Sequence, residues 1–118
     1  MAKNRVRKDG RFISKAATSP ATPASGDPVV VGQIPGVALI DETSDGNVTV
    51  DTAGVYNLSV KGENNVGASA VAVGDILFFE AGQVPPINKD NVAGIRYGYA
   101  LAAVGSGLTA TIPVKVGY

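Results

Sequence analysis

The sequence predicts an all-β fold: a small barrel or sandwich of short strands behind an extended N-terminal arm. Three observations predict it. Short apolar runs alternate with Gly, Pro, Asp and Asn punctuation through residues 26–116. Residues 47–51 and 108–116 alternate apolar and polar side chains with the period of a half-buried strand. Turn signals fall about every eight to ten residues, the rhythm of a sandwich or barrel.

Composition bounds the core and the chemistry. A chain of 118 residues makes one domain with a tail. Its apolar content is 45%, much of it Ala and Val, and it has no Trp. The predicted core is therefore small β-branched residues with Phe78, Phe79, Tyr97 and Tyr99. There is no Cys and no His. That removes disulfides, thiolate chemistry, the commonest general base near neutral pH and the commonest transition-metal ligand. Ser and Thr nucleophiles would have only Lys or a carboxylate as base. No GxxxxGK precedes a Ser or Thr, so there is no phosphate-binding loop. Asp41, Glu42 and Asp45 lack the spacing and terminal Glu of a calcium loop, and read as a solvated turn. The expectation is a non-enzyme with no cofactor and no metal. No apolar run is long enough to span a bilayer, and the basic N-terminus lacks the apolar region of a secretory signal. A protein made and used in the cytoplasm, or released by lysis, is expected, with no membrane partner.

Charge is segregated along the chain. Residues 1–15 carry Lys3, Arg5, Arg7, Lys8, Arg11 and Lys15 against Asp9, a net +5. The remainder carries a net −5, so the total is zero. A basic arm on an acidic body seeks nucleic acid, an anionic membrane or an acidic protein surface, or is simply a solvated terminus.

In the arm, Asp9-Gly10 is a turn signal between the β-capable pieces VRK and RFIS. Residues 16–25, AATSPATPAS, read as an extended linker with polyproline character, and the domain boundary falls there. The arm and linker are residues 1–24; the β-rich domain is residues 25–118. The domain opens with strands at 28–31, 37–40, 47–51 and 54–60, with a turn at 32–35. Residues 61–73 read as a loop with room for a helical turn near 68–71. ILFFE at 76–80 is bulky on both faces and predicted fully buried. Residues 81–90, with Pro85-Pro86, are a long loop. Strands follow at 95–103 and 108–116. Pro113 has no N–H for a ladder, which predicts an edge strand or a neighbouring bulge.

The two halves share an order of parts. Gly26-Asp27, VVV, GVAL from Gly36 and NVTV after Gly46 match Gly74-Asp75, ILFF, GYAL from Gly98 and LTATI after Gly107. The physical reading is a duplicated β unit closing one small barrel.

These same residues, in order, carry a resemblance. A basic arm, SGDPVVVG, GVAL, an acidic turn, VTVDTAGVYNL, AVAVGD before an apolar strand, and GYAL before an alternating strand resemble the capsid cement, or decoration, proteins of tailed bacteriophages. The likeness spans residues 25–116; the long Ala/Pro linker and the Pro85-Pro86 loop depart from it. It implies a small β-barrel-like domain in the virion, on the outer capsid surface. Its partner would be the major capsid protein, bound as a homotrimer, with no catalytic residues. The expected mechanism places binding in an arm that is mobile in solution and orders on the shell. Arg5, Arg7, Lys8 and Arg11 meet acidic capsid residues, while Val6, Phe12 and Ile13 add strand pairing and apolar anchoring. The alternative is a small nucleic-acid-binding protein in which the arm neutralises phosphates and Phe12 stacks on a base. The acidic body opposes that reading.

Overall fold

A computed structural model describes residues 11–117, which form nine strands and no helix. The strands are β1 (Phe12–Lys15), β2 (Pro28–Val31), β3 (Ile34–Ala38), β4 (Val48–Asp51), β5 (Gly54–Lys61), β6 (Ile76–Phe79), β7 (Ile87–Asn88), β8 (Ile95–Ala100) and β9 (Thr109–Val116). The first four make an open sheet in the order β1-β4-β3-β2. The other five close a barrel in the order β5-β7-β6-β8-β9. The all-β expectation holds.

The alternating segments behave as their period requires. In β5, Leu58 and Val60 point into the barrel while Val55, Asn57 and Ser59 stay out. In β9, Ile112, Val114 and Val116 are buried and Thr109, Thr111 and Lys115 are exposed. The first hairpin turns on Gly32-Gln33 alone, because Val31 pairs with Ile34. Gly32 has φ +61° at the first central position, the arrangement of a type II′ turn. The predicted turn at 32–35 was therefore too long.

The internal repeat is present, and it differs from the expected form. The halves do not share one barrel: the first is the open sheet, and the second closes a barrel by itself with β7. Their hydrogen bonds nonetheless correspond residue by residue. Ala24 N–H donates to the Asp27 carboxylate as Ala72 N–H does to Asp75 (2.9 and 2.8 Å). Gly26 and Gly74 donate to the carbonyls of Ala38 and Ala100, both at 2.7 Å. Leu39 and Leu101 donate to the carbonyls of Thr49 and Pro113. The registers agree too: Pro28↔Val37 and Val37↔Asp51 in one unit match Ile76↔Tyr99 and Tyr99↔Lys115 in the other. β1 holds the place of β5, since Phe12↔Asp51 matches Val55↔Lys115.

That correspondence extends into residues 16–25. Val71 and Val104 exchange two backbone bonds, and the equivalent pair is Pro23 and Glu42. Pro23 has no N–H, so only Glu42 donates, at 3.1 Å. Ser19 bridges Val30 in the position where Asn88 of β7 pairs with Phe78.

Packing joins the units. Val30 and Val37 leave the first sheet to enter the barrel core with Leu58, Val60, Leu77, Phe79, Ile87, Tyr97 and Val114. Val29, Ala38, Val48 and Val50 form a smaller core on the other face, against Ile13, Ala17 and Val31. Each fully buried Val is worth about 1.5–3 kcal/mol relative to exposure. The buried Tyr97 hydroxyl donates to the Gly36 carbonyl at 2.6 Å, and its ring stacks 6.1 Å from that of Phe79.

Several local expectations are corrected. Phe78 and Tyr99 are half-buried, because β6 and β8 are barrel strands with one outward face; Ile76 is exposed for the same reason. Residues 68–71 make isolated bridges, Glu63↔Ala68 and Val71↔Val104, with no helical turn. The 81–90 loop contains β7, whose Ile87 pairs in parallel with Val60. β9 is not an edge strand. Pro113 is accommodated because its carbonyl, and hence its nitrogen, faces the side where β8 has just ended at Ala100.

Two substitutions test this architecture. A Cβ on Gly98 would lie 2.2 Å from the Lys115 carbonyl oxygen, as one on Gly36 would lie 2.8 Å from that of Asp51. Gly98→Ala should lower the urea-unfolding free energy by about 1–3 kcal/mol through overpacking. Tyr97→Phe leaves the Gly36 carbonyl without its donor and should cost about 1 kcal/mol, with one cooperative transition retained.

Candidate functional site

Of the arm residues singled out by charge and hydropathy, Arg5, Val6, Arg7 and Lys8 lie outside the described residues. Arg11, Phe12 and Ile13 are described, and the β1–β4 pairing brings them together. Phe12 to Lys15 pair with Asp51 to Val48. Alternation sends Ile13 toward the small core and leaves Phe12 39% exposed. The Arg11 guanidinium lies 5.0 Å from the Phe12 ring centroid, within cation–π range.

Arg11 is fixed at both ends. Its guanidinium grips Asp51 bidentately, Nε to Oδ1 at 2.7 Å and Nη2 to Oδ2 at 2.9 Å. Its carbonyl accepts from the Thr52 N–H at 2.9 Å and the Thr52 hydroxyl at 2.5 Å. Asp51 is 1% exposed and also accepts from the Ala53 N–H at 3.1 Å and from the Tyr56 hydroxyl. Burial pushes the Asp51 carboxyl up. The bonds from Arg11, Tyr56 and Ala53 outweigh burial and hold it below the ordinary carboxylate range. The same carboxylate raises the Tyr56 phenol.

This cluster fixes Arg11, the first of the described residues, to the body. It joins β1, the end of β4 and the start of β5 at one point. Sequence reasoning found Arg11 and missed Asp51 and Tyr56. Asp51 ends an alternating run and reads as one more outward polar residue; nothing local signals a buried carboxylate. A usable signal was the repeat itself, because Asp51 stands where the second unit has Lys115.

The acidic turn acts as backbone capping. Asp41 accepts from the Ser25 N–H at 2.8 Å, and Asp45 from the Asn47 N–H at 3.2 Å and the Thr43 hydroxyl. The Thr43 hydroxyl, then the Asn47 N–H, hold the Asp45 carboxyl low. Among the described residues, no group of three or more acids is arranged to hold a metal ion.

Removing the guanidinium leaves a buried carboxylate short of two donors, so Arg11→Ala should cost roughly 1.5–3 kcal/mol at neutral pH. Asp51 binds its proton less readily folded than unfolded. Its contribution is therefore present above the ordinary carboxylate range and lost as pH falls through the lowered folded value. The melting temperatures of wild type and Asp51→Asn should differ most near neutrality and converge in acid, below about pH 4. A gap that stays constant into acid would remove Asp51 as the titrating group.

With this geometry in place, comparison with known proteins is informative. No curated protein and no solved structure matches the chain. The phage cement protein family matches residues 8–116, nearly its whole length and both β units. The chain belongs to the phage cement protein family.

Proposed function

We propose that the protein binds the outer surface of an assembled phage shell, as a homotrimer, and stabilises that shell. The family membership gives a capsid-associated structural role in the virion. The observation that carries the finer reading is the anchored origin of the arm. Arg11 and Ile13 are held on the body beside an exposed Phe12, and Lys3, Arg5, Arg7 and Lys8 precede them in the sequence. Arg5, Arg7 and Lys8 meet acidic residues of the major capsid protein, with Val6 and Phe12 as apolar contacts. Arg11 and Ile13 act one step back, as the hinge that aims the arm.

Stabilisation follows by mass action. A protein that binds the assembled shell and not its free subunits shifts the balance toward assembly by RT ln(1 + [L]/Kd) per site. At 100-fold saturation this is about 2.7 kcal/mol per copy, and a shell presents many copies.

The test is co-sedimentation with expanded shells, using a chain that lacks residues 2–10. That truncation keeps Arg11 and β1, whereas removing residues 2–15 would strip the sheet of a strand. The truncated protein should melt as the full chain does and lose shell binding at least tenfold. Full occupancy by the truncated protein refutes the arm. Binding that saturates at a fixed copy number per shell supports the capsid reading. Retention by duplex DNA with a steep log-linear salt dependence would favour the nucleic-acid alternative.

A further inference from the structure

One wall of the barrel carries no acid. β6, β8, β9 and β5 are consecutive around it and contain no Asp or Glu, although residues 16–118 carry a net −5. The cations of these four strands are Lys61, Arg96 and Lys115. Lys61 pairs with Glu63 at 3.4 Å. Arg96 and Lys115 gather instead at one aromatic ring. Arg96 Nη2 donates to the Tyr99 hydroxyl at 2.6 Å. The Arg96 guanidinium and the Lys115 ammonium each lie 5.6 Å from the Tyr99 ring centroid.

Strand pairing sets this ring in a row across the wall. Ile76 pairs with Tyr99, Tyr99 with Lys115, and Lys115 with Val55. Residues paired across strands share a face. This one points outward: Val55 and Ile76 are 58 and 39% exposed, and Lys115 is exposed. In the first unit the equivalent row is Pro28, Val37, Asp51 and Phe12. There the middle of the row is covered. Val37 enters the barrel core, and Asp51 is buried with Arg11 and Tyr56 as its partners. The same face of the repeat is thus docked in the first unit and open in the second.

We propose that this open face binds a carboxylate-bearing surface of the major capsid protein, with Lys115 as the ion-pairing cation and Tyr99 as the anchor. The face serves the shell binding proposed above, on which its assignment rests, and gives the body a contact of its own besides the arm. Charge selects the partner. A wall that holds Arg96 and Lys115 and no carboxylate attracts an acidic surface, and the acids on the rest of the body confine that attraction to this wall. The Tyr99 hydroxyl accepts from Arg96, which leaves its own hydrogen to donate to a carboxylate oxygen. Tyr and Arg are the side chains enriched among interface anchors, and Val55 and Ile76 supply apolar contact that excludes water around them.

The test is co-sedimentation of full-length variants with expanded shells, beside the chain that lacks residues 2–10. Lys115→Glu reverses the charge of the face, and Val55→Asp adds an acid to the same row. Each should weaken shell binding at least tenfold and melt as wild type does, whereas Lys115→Arg should bind as wild type. If Lys115→Glu and Val55→Asp both bind as wild type while wild type itself decorates the shells, the face is wrong and the capsid reading stands. Wild type that does not bind shells refutes both. A light-scattering mass that falls in Lys115→Glu makes the face a contact between copies and overturns the proposal. Retention of wild type on duplex DNA that Lys115→Glu abolishes overturns it in favour of nucleic acid.

Discussion

The structure depends on one shared surface: the face of the first sheet that carries Val30 and Val37 completes the core of the barrel. Neither unit is self-sufficient without it. The first sheet has only a small buried core of its own, Val29, Ala38, Val48 and Val50. The barrel, without Val30 and Val37, would expose the side of Tyr97 and Phe79 that they cover. The Tyr97 hydroxyl then removes the remaining freedom, because a buried phenol must find an acceptor and the Gly36 carbonyl is the one supplied. Burial pushes that phenol's pKa far up, which favours the protonated form that donates to Gly36. Gly36 therefore serves twice: it gives its carbonyl to Tyr97 and lets β3 approach β4 where any Cβ would collide with Asp51 and Val50.

Much of this was legible from residues alone, and the rest was hidden for identifiable reasons. β4, β5 and β9 were readable because apolar side chains recur at every second residue on one face, which writes a period of two. The repeat was readable through Gly-Asp and GVAL or GYAL, since those residues make the conserved bonds of each unit: the Asp caps, the Gly adopts φ +90°, and the Ala carbonyl accepts. β7 was invisible because a two-residue strand has no period and follows two prolines. Residues 16–25 looked like a free linker because most of their pairing is non-local, as from Ser19 to Val30 and from Glu42 to Pro23. Polyproline composition reports local preference and is silent about a partner 19 residues away. At the candidate site, Arg11, Phe12 and Ile13 were readable from charge and hydropathy, while Asp51 and Tyr56 were not, because their role exists only once β1 and β5 meet at the end of β4.

The two units differ at the position that meets Arg11. At the same register position the first unit has Asp51 and the second has Lys115. Arg11 faces the first; Gly54, the equivalent residue, offers nothing to the second. Lys115 instead lies 5.6 Å from the Tyr99 ring. An arm bearing Arg could be latched only by the unit whose strand ends in a carboxylate, and a Lys there would repel it. The reversal of charge at one position thus assigns the two copies different work. The first holds Arg11 through its buried carboxylate. The second closes into a barrel through β7. An acidic body with its positive charge gathered in one arm follows from this division. Spread over both units, the six basic residues of positions 1–15 would neutralise the body locally and erase the charge asymmetry of the chain.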